Sequence, residues 1–186
     1  MVRIVGGRYR GKQLSVPKGD GVRPTTDRVR EALFNVLDHR FDRPYDGARV
    51  LDLFAGAGAL GLEALSRGAA HVCFVERNRE VAANLRKNLK TVREHVDIVE
   101  RDAIQFLSGR CQTPFDFVFM DPPYDKELLA PCLEAVIAKG WLIPQGLVCV
   151  EQPSESGPVG ISTYTELFAR RYGRTTISLL SPRRTP

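Results

Sequence analysis

The segment FMDPPYDK places an acid, two prolines and an aromatic ring directly after a run of apolar residues. Asp121 ends that run, so its carboxylate would lie at the tip of a buried strand. Pro122 and Pro123 fix the backbone angle φ and lack N–H groups, so this corner would offer hydrogen-bond acceptors only. The Tyr124 ring adds a flat face on which a nucleobase can stack, a contact worth about 1–3 kcal/mol.

An exocyclic amine on a nucleobase would use this corner fully. Its lone pair is delocalised into the ring, so it is a poor nucleophile until the Asp121 carboxylate and a backbone carbonyl hold both N–H groups. Attack on a methyl sulfonium neutralises a cation and needs no strong base, so positioning would supply most of the acceleration. The proton can leave afterwards through Asp121 or water. Because the amine is inaccessible in a stacked helix, the base must be flipped out or already unpaired.

A glycine-rich turn earlier in the chain predicts a cofactor site. DLFAGAGALG holds Gly56, Gly58 and Gly61 in GxGxxG spacing, which lets the backbone approach a ligand and offers helix amides to it. This spacing fits nicotinamide, flavin and adenosyl cofactors alike. Asp52 narrows the choice, because a carboxylate would repel a pyrophosphate by ~1 kcal/mol at 4 Å even in bulk water. A cationic ligand without phosphate, such as S-adenosylmethionine, fits better.

Two further acids close the next two predicted strands. Glu76 ends HVCFVE, where it can accept hydrogen bonds from ribose hydroxyls, and Asp102 ends VDIVERD, where it can accept from the adenine amino group. In an alternating fold these acids share one sheet edge with Asp121, where open α/β sheets bind ligands. Plainer interpretations are also open: Asp52 as a turn cap, Glu76 as a cap before Asn78, and Asp102 as a helix N-cap.

The elements that would position these residues alternate between apolar strands and helices. A first helix is predicted in RPTTDRVREALFNVL, with an apolar face at Val29, Ala32, Leu33, Val36 and Leu37. Arg28, Arg30 and Glu31 fall off that face, so we expect basic groups to project from the helix start. Alternation from ARVLDLF to GLVCVEQ predicts a doubly wound, mostly parallel α/β fold. The tail ELFARRYGRTTISLL predicts an antiparallel hairpin turning at Tyr172–Gly173.

The positive charge is concentrated near the N-terminus. Residues 1–43 hold ten lysines and arginines against five acids, while the remainder holds 17 of each. We expect a flexible basic arm over residues 1–22, with a short hairpin around Gly6 and Gly7, and a single domain over residues 23–186. Such an arm suits a phosphate backbone, which it would bind without reading sequence. A solvated basic surface is the alternative.

The composition excludes several other classes of protein. With 186 residues, 43% hydrophobic and 26% charged, the chain has a globular balance. No apolar run approaches the ~18 residues of a membrane span, so we expect a cytoplasmic protein without membrane contact. The cysteines and histidines are scattered without metal-ligand spacing, so we expect no metal.

These motifs together resemble the class I S-adenosylmethionine-dependent methyltransferases that carry a D/N-PP-Y/F motif. More closely, the chain is similar to the bacterial family that methylates the 2-amino group of a specific guanine in small-subunit (16S) ribosomal RNA. The resemblance is carried in order by RIVGGRYRGKQL, RPTTDRVREALFN, DLFAGAGALGLEALSRGA, FVERN and DPPY. It implies a Rossmann-like sheet of seven strands, S-adenosylmethionine as methyl donor and S-adenosylhomocysteine as product. It also implies action on the assembled or assembling 30S subunit, and we expect a monomer.

The resemblance also assigns residues to three roles. Catalysis is implied for Asp121, Pro122, Pro123 and Tyr124. Cofactor binding is implied for Asp52, Phe54, Ala55, Gly56, Gly58, Glu76, Arg77, Asp102 and Ala103. RNA contact is implied for Arg3, Arg8, Arg10, Lys12, Arg23, Thr25 and Arg28.

Three alternatives are open. A DNA adenine amino-methyltransferase shares DPPY, but such enzymes usually carry extra sequence to read a duplex site. A nicotinamide oxidoreductase shares GxGxxG, but it leaves Asp52 and DPPY unexplained. A non-catalytic RNA-binding or assembly factor could keep the fold after losing the chemistry, which the intact Asp121 and Tyr124 disfavour.

Overall fold

The computed structural model describes residues 2–16, 26–123 and 126–183. Its strands are β1 (Val2–Arg3), β2 (Gln13–Leu14), β3 (Arg49–Asp52), β4 (His71–Val75), β5 (His95–Val99), β6 (Phe115–Met120), β7 (Leu142–Pro153), β8 (Tyr164–Tyr172) and β9 (Thr175–Pro182). Its helices are α1 (Asp27–Arg40), α2 (Ala59–Ser66), α3 (Arg79–Leu89), α4 (Ala103–Leu107) and α5 (Lys126–Ala138), with a 3-10 turn at Ser154–Ser156. None of the helices in these ranges is long and apolar enough to cross a membrane.

Seven strands form one central sheet in the order β5-β4-β3-β6-β7-β9-β8. The first five are parallel to one another, and β9 pairs antiparallel with both β7 and β8. This confirms the predicted doubly wound fold with an antiparallel C-terminal hairpin. β4 is buried at every position, as expected for a strand covered on both faces.

Two apolar layers hold the helices against the sheet. On one face, Leu33 of α1, Leu62 of α2 and Leu85 of α3 pack in a single buried cluster. On the other face, Leu107 of α4 and Leu133 of α5 belong to a second cluster. Because both faces are covered, the carboxyl edge of the parallel strands is left to form a site.

Helix α1 begins as predicted, but its charges lie differently. The Thr26 side chain caps the helix by accepting from the Val29 amide. Arg30 was expected to project outward, yet its side chain is 0% exposed. It lies 2.9 Å from Asp27 and 3.6 Å from Glu63 of α2. The prediction was wrong for Arg30 because a buried acid on a neighbouring helix compensates its charge, which helical spacing cannot reveal.

The N-terminal hairpin is present, but it is docked rather than flexible. Val2 pairs with Leu14 and Arg3 with Gln13, so the connection spans residues 4–12 instead of turning at two glycines. The Val5 and Gly6 amides each donate to the buried Glu63 carboxylate at 2.8 Å. These bonds correct the expectation of a flexible arm. The boundary proposed at residue 22 lies outside the described residues, so the division into arm and domain stays a prediction.

Candidate active site

A cavity of about 310 Å³ opens at the carboxyl edge of the parallel strands. It brings together most of the residues predicted for cofactor binding and catalysis: Asp52, Phe54, Gly56, Glu76, Arg77, Asp102, Ala103, Asp121, Pro122 and Pro123. Ala55 and Gly58 are buried in the turn beside it and do not line it. Tyr124 lies outside the described residues. The topology thus places one acid from each of four successive strand ends around a single space.

The glycine-rich turn forms one wall of this cavity. Gly56 has φ 54°, and a Cβ there would meet no atom within 4 Å, so this wall is open for a ligand to approach the backbone. Gly61, in the first turn of α2, has the opposite surroundings. A Cβ at Gly61 would collide with the Phe74 ring of β4. Gly56 therefore lets a ligand approach the backbone, and Gly61 lets α2 pack closely on the sheet.

Asp52 ends β3 beneath this turn and is 2% exposed. Its Oδ2 accepts a hydrogen bond from the Gly61 amide at 3.0 Å, as the turn-cap interpretation requires. Burial raises the pKa of Asp52 to about 7, and the charge of Glu76 adds to the shift. The carboxylate therefore lies in the cavity wall with a large desolvation cost that a bound cation would offset.

Glu76 and Asp102 make the capping contacts that were considered for them from the sequence. The two oxygens of Glu76 accept from the Gly56 amide at 3.0 Å and the Asn78 amide at 2.8 Å. Asp102 caps α4 by accepting from the second and third amides of that helix, those of Ile104 and Gln105, at 2.9 and 3.2 Å. Both residues also line the cavity, and each carboxylate oxygen has a second lone pair for a ligand.

Asp121 follows β6 directly and is half-buried. Burial raises its pKa well above the ordinary value, and the charges of Glu151 and Asp52 contribute. Glu151, on β7, lines the same cavity and was not among the predicted site residues. The signal was available, because Glu151 nearly closes the predicted strand GLVCVEQ just as the other acids close theirs.

The charges around the cavity indicate what it can hold. Five acids line it, against two arginines: Asp52, Glu76, Asp102, Asp121 and Glu151, with Arg77 and Arg101. Such a balance attracts cations and repels pyrophosphate. The open backbone at Gly56 and the desolvated Asp52 beneath it fit an adenosyl ligand with ammonium and sulfonium groups. The residues present therefore fit S-adenosylmethionine.

Comparison with known proteins supports the same class. A profile of the family described as conserved hypothetical protein 95 matches residues 2–181. The chain is 45% identical over 157 residues to ribosomal RNA small subunit methyltransferase D of Escherichia coli K12, covering 84% of this chain and 77% of that protein. It is 38% identical over 177 residues to the Haemophilus influenzae protein of the same name, covering 92% and 89%.

The chain belongs to the ribosomal RNA small subunit methyltransferase D family. A solved Escherichia coli structure, yhhF, described provisionally as a methyltransferase, matches with a TM-score of 0.85 at 40% identity over 97% of both chains. The resemblance noted from the sequence motifs is thereby confirmed, as is the class I methyltransferase fold. The cavity at the carboxyl edge lies where ligands bind in such sheets.

The predicted RNA-contacting cations lie on the surface, and several have acidic or polar partners. Arg3 pairs with Asp27 at 3.2 Å and Arg8 with Glu94 at 2.5 Å. Lys12 donates a hydrogen bond to Thr91 at 2.6 Å. The remaining described members of this group, Arg10 and Arg28, are exposed. Arg23 and Thr25 lie outside the described residues.

A basic groove between α1 and β8 was not predicted. It is lined by Arg28 and His39 together with Arg40, Arg170 and Tyr172. The arginines come from segments far apart in the chain, so no local run of basic residues indicated them. The groove thus places Arg28, which was expected to contact RNA, beside Arg40 and Arg170, which were not.

At the amino edge of the parallel strands, opposite the cavity, two histidines that are far apart in the sequence lie together. His71 and His95 begin neighbouring strands and are register partners, with ring centroids 4.7 Å apart. His71 Nε2 lies 2.9 Å from Asp97, and burial lowers the pKa of His71. Parallel pairing made this cluster, which residue spacing alone could not indicate.

Proposed function

We propose that this chain methylates the exocyclic 2-amino group of a guanine in small-subunit ribosomal RNA, with S-adenosylmethionine as methyl donor and a 30S particle, assembled or assembling, as substrate. One observation carries the proposal: Asp121, Pro122 and Pro123 line the same acidic cavity as the glycine-rich turn. An acceptor-only corner is thereby adjacent to a site that fits a sulfonium. The names of the relatives in Escherichia coli and Haemophilus influenzae, ribosomal RNA small subunit methyltransferase D, support RNA as the substrate.

The cofactor would be held by residues that line the first cavity. The Gly56 backbone and the carboxylates of Glu76 and Asp102 line the cavity wall, where they would hold the ribose and adenine. Asp52, buried beneath them, would compensate positive charge. When bound, S-adenosylmethionine supplies an electrophilic methyl group, which the amine nitrogen takes as the carbon–sulfur bond breaks and its electron pair stays on sulfur.

The corner's own contribution is to present the amine. The Asp121 carboxylate would accept one N–H of the 2-amino group, and a carbonyl of the proline corner the other. Held in this way, the nitrogen has its lone pair free to point toward the methyl group, which positions the reactants rather than activating them with a base. The extra proton then leaves through Asp121 or water. Tyr124 would stack on the base, which must be flipped out or unpaired.

The elevated pKa of Asp121 has a consequence for this role. Burial and the neighbouring Glu151 disfavour the ionised form, so a proton remains on Asp121 to higher pH than on an exposed acid. Only the carboxylate accepts hydrogen bonds with both oxygens. We therefore expect the free enzyme to hold the amine best above that pKa, and a bound sulfonium would favour ionisation.

RNA would approach along the basic surfaces. Arg3, Arg8, Arg10 and Lys12 of the docked hairpin, with Arg23, Thr25 and Arg28, would bind phosphates and displace counterions. The groove containing Arg28, Arg40 and Arg170 extends that surface to the C-terminal hairpin. These contacts carry no base readout, so they would orient the RNA rather than select the nucleotide.

The test is transfer of labelled methyl groups to small ribosomal subunits that lack native methylation, to bare small-subunit RNA and to DNA, followed by nucleoside analysis. We expect N2-methylguanosine from the subunit and little from bare RNA. Methyladenine in DNA would move the chain to a DNA adenine methyltransferase. No transfer to any substrate would favour a non-catalytic assembly factor.

Substitution of Asp121 tests whether the proline corner takes part in the reaction. Asp121→Ala should lower the single-turnover rate by at least about 100-fold, while S-adenosylhomocysteine binds as in the wild type. Glu134→Ala removes an exposed acid of α5 that does not line the cavity and should change neither quantity. A full rate in Asp121→Ala would remove Asp121 from the mechanism.

A further inference from the structure

A second cavity lies on the other side of the proline corner. It measures about 230 Å³, which is below the roughly 300–1,000 Å³ of pockets for drug-sized ligands and suits a single base. It shares part of its lining with the first cavity: Pro122, Pro123, Glu151, Gln152 and Pro153. The two cavities are therefore neighbours across one wall, and the corner is part of both.

Glu151 stands in that shared wall because of strand register. Met120 of β6 pairs with Val150 of β7 in the parallel sheet, so Asp121, which follows the end of β6, lies beside Glu151, which is still within β7. They are close enough for the charge of Glu151 to act on Asp121. Glu151 is half-buried and lines both cavities. Two carboxylates thus border the place where the amine must sit.

The far side of the second cavity offers a hydroxyl. Ser156 lines it, and the Ser156 Oγ is buried without a hydrogen-bond partner among the described residues. Its loop is held in place by Gln152, which is 8% exposed and donates to the Gly157 carbonyl at 2.6 Å. A buried polar atom without a partner is costly. The Oγ reaches a ligand only if the Ser156 side chain turns toward the cavity, and a ligand group that accepts from it there would remove that cost.

The edge of guanine complements this arrangement. It presents the 2-amino group and the ring N1–H, both donors, followed by the O6 acceptor. Adenine instead has a ring acceptor, N1, beside its amino group. A site with two carboxylates followed by a hydroxyl donor therefore matches guanine and opposes adenine, because a carboxylate facing a ring nitrogen without hydrogen leaves both groups unpaired.

We propose that the second cavity receives the target base, with Glu151 accepting from guanine N1–H and Ser156 donating to O6, so that Glu151 selects guanine for Asp121 to present. This inference rests on the proposed function and goes further, since it assigns base choice to a residue outside the DPPY motif. The prolines form the wall over which the 2-amino group reaches the first cavity. Because Glu151 contacts the substrate base, it acts on specificity directly.

The experiment compares two bases that both carry the 2-amino group. Small subunits are reassembled from RNA with guanine or 2-aminopurine at the target position, and methyl transfer is measured in single turnovers. In 2-aminopurine N1 is an acceptor and O6 is missing. The wild type should prefer guanine by at least about tenfold, the effect of one well-formed base contact of ~1–3 kcal/mol.

Glu151→Gln should abolish that preference. The glutamine amide can donate to N1 of 2-aminopurine, so the ratio of the two rates should fall to near one or invert. Glu155→Gln makes the same change in charge at an exposed position of the 3-10 turn that follows β7 and lines neither cavity, and it should keep the guanine preference. A Glu151→Gln protein with the wild-type ratio would overturn the proposal.

A second variant keeps the test independent of how Glu151→Gln folds. Ser156→Ala removes the donor to O6, so it should slow transfer to guanine more than transfer to 2-aminopurine. Equal slowing on both bases would contradict the assignment. If the wild type methylates neither base, the proposed function itself fails; if it methylates guanine while the ratios of both variants equal that of the wild type, only this inference fails.

Discussion

Carboxylates are withdrawn from water both around Glu63 and around Asp52 and Asp121, but their surroundings differ. Glu63 has a side chain that is 0% exposed and lies 2.7 Å from Arg67 and 3.6 Å from Arg30. It also accepts from two amides of the N-terminal hairpin. The ion pairs of the described residues include neither Asp52 nor Asp121. For both of these acids burial raises the pKa.

This difference distinguishes a carboxylate that stabilises the fold, Glu63, from the carboxylates of the cavity, Asp52 and Asp121. Around Glu63, cations and amide donors offset desolvation, so the carboxylate joins the hairpin, α1 and α2. At the cavity, no ion pair among the described residues offsets the desolvation of Asp52 or Asp121, and raised pKa values of this kind are common among groups that bind a ligand. Removing an acid should therefore have opposite effects on stability in the two regions.

The largest effect is expected at Glu63. Glu63→Ala leaves Arg30 and Arg67 without their shared partner and two hairpin amides without an acceptor, so it should lower the free energy of unfolding by about 3–5 kcal/mol. Urea unfolding at neutral pH measures this. Glu31→Ala, at an exposed position of α1, should stay within about 0.5 kcal/mol of the wild type. Equally small losses of unfolding free energy in Glu63→Ala and Glu31→Ala would contradict the stabilising role of Glu63.

Asp52→Asn should act in the opposite direction. Since the folded-state pKa is raised from 3.8 to about 7, the stability that the protonated acid contributes is present below pH 4 and lost as the pH rises through 7. The amide bears no charge, so at pH 8 the variant should be more stable than the wild type by at most about 4 kcal/mol. The gain should shrink toward pH 5, and cofactor affinity should fall. Lower stability at pH 8 would contradict this.

The pH dependence of the reaction sharpens the same comparison. With saturating S-adenosylmethionine, the single-turnover rate should fall about tenfold per pH unit below the raised pKa of Asp121, because the protonated acid cannot hold the amine. Glu151→Gln should move this acid limb to lower pH, since one of the charges that raise the pKa of Asp121 is removed. A limb that does not move would indicate that another group titrates.

The smallest effects on stability are expected for surface cations. Arg10→Ala should leave the free energy of unfolding within about 0.5 kcal/mol of the wild type. It should nevertheless reduce the slope of log affinity for RNA against log salt by about 0.7–0.9. Lys139→Ala, at an exposed position by the opposite edge of the sheet, removes the same charge and should leave the slope unchanged. Identical slopes for all three proteins would remove Arg10 from the RNA surface.

Deleting the hairpin would not test RNA binding cleanly. Val2, Ile4 and Leu14 belong to a buried cluster, and Ser66 accepts from the Tyr9 amide at 2.8 Å. A truncated chain would expose these apolar side chains and the Glu63 carboxylate. Charge substitutions such as Arg10→Ala therefore separate binding from folding.

The sequence determined the elements and most of the cavity. Strands rich in Val and Phe alternate with helices, and in a doubly wound sheet that pattern requires the residues after each strand to share one edge. Asp52, Glu76, Asp102 and Asp121 each close a predicted strand, so their meeting follows from local pattern and topology together. The capping bonds of Glu76 and Asp102 were also foreseeable, because caps act over two or three residues.

Only the tertiary structure decided which distant charges meet. Arg30 is buried because Glu63 lies on a neighbouring helix, and the basic hairpin is docked because its amides reach the same carboxylate. The position of Glu151 near the end of a predicted strand was visible in the sequence, but the register of β6 with β7 decides that it lies beside Asp121. Local periodicity reports which face of an element is apolar, whereas the energy of a buried charge depends on partners many residues away, and only packing brings those partners within reach.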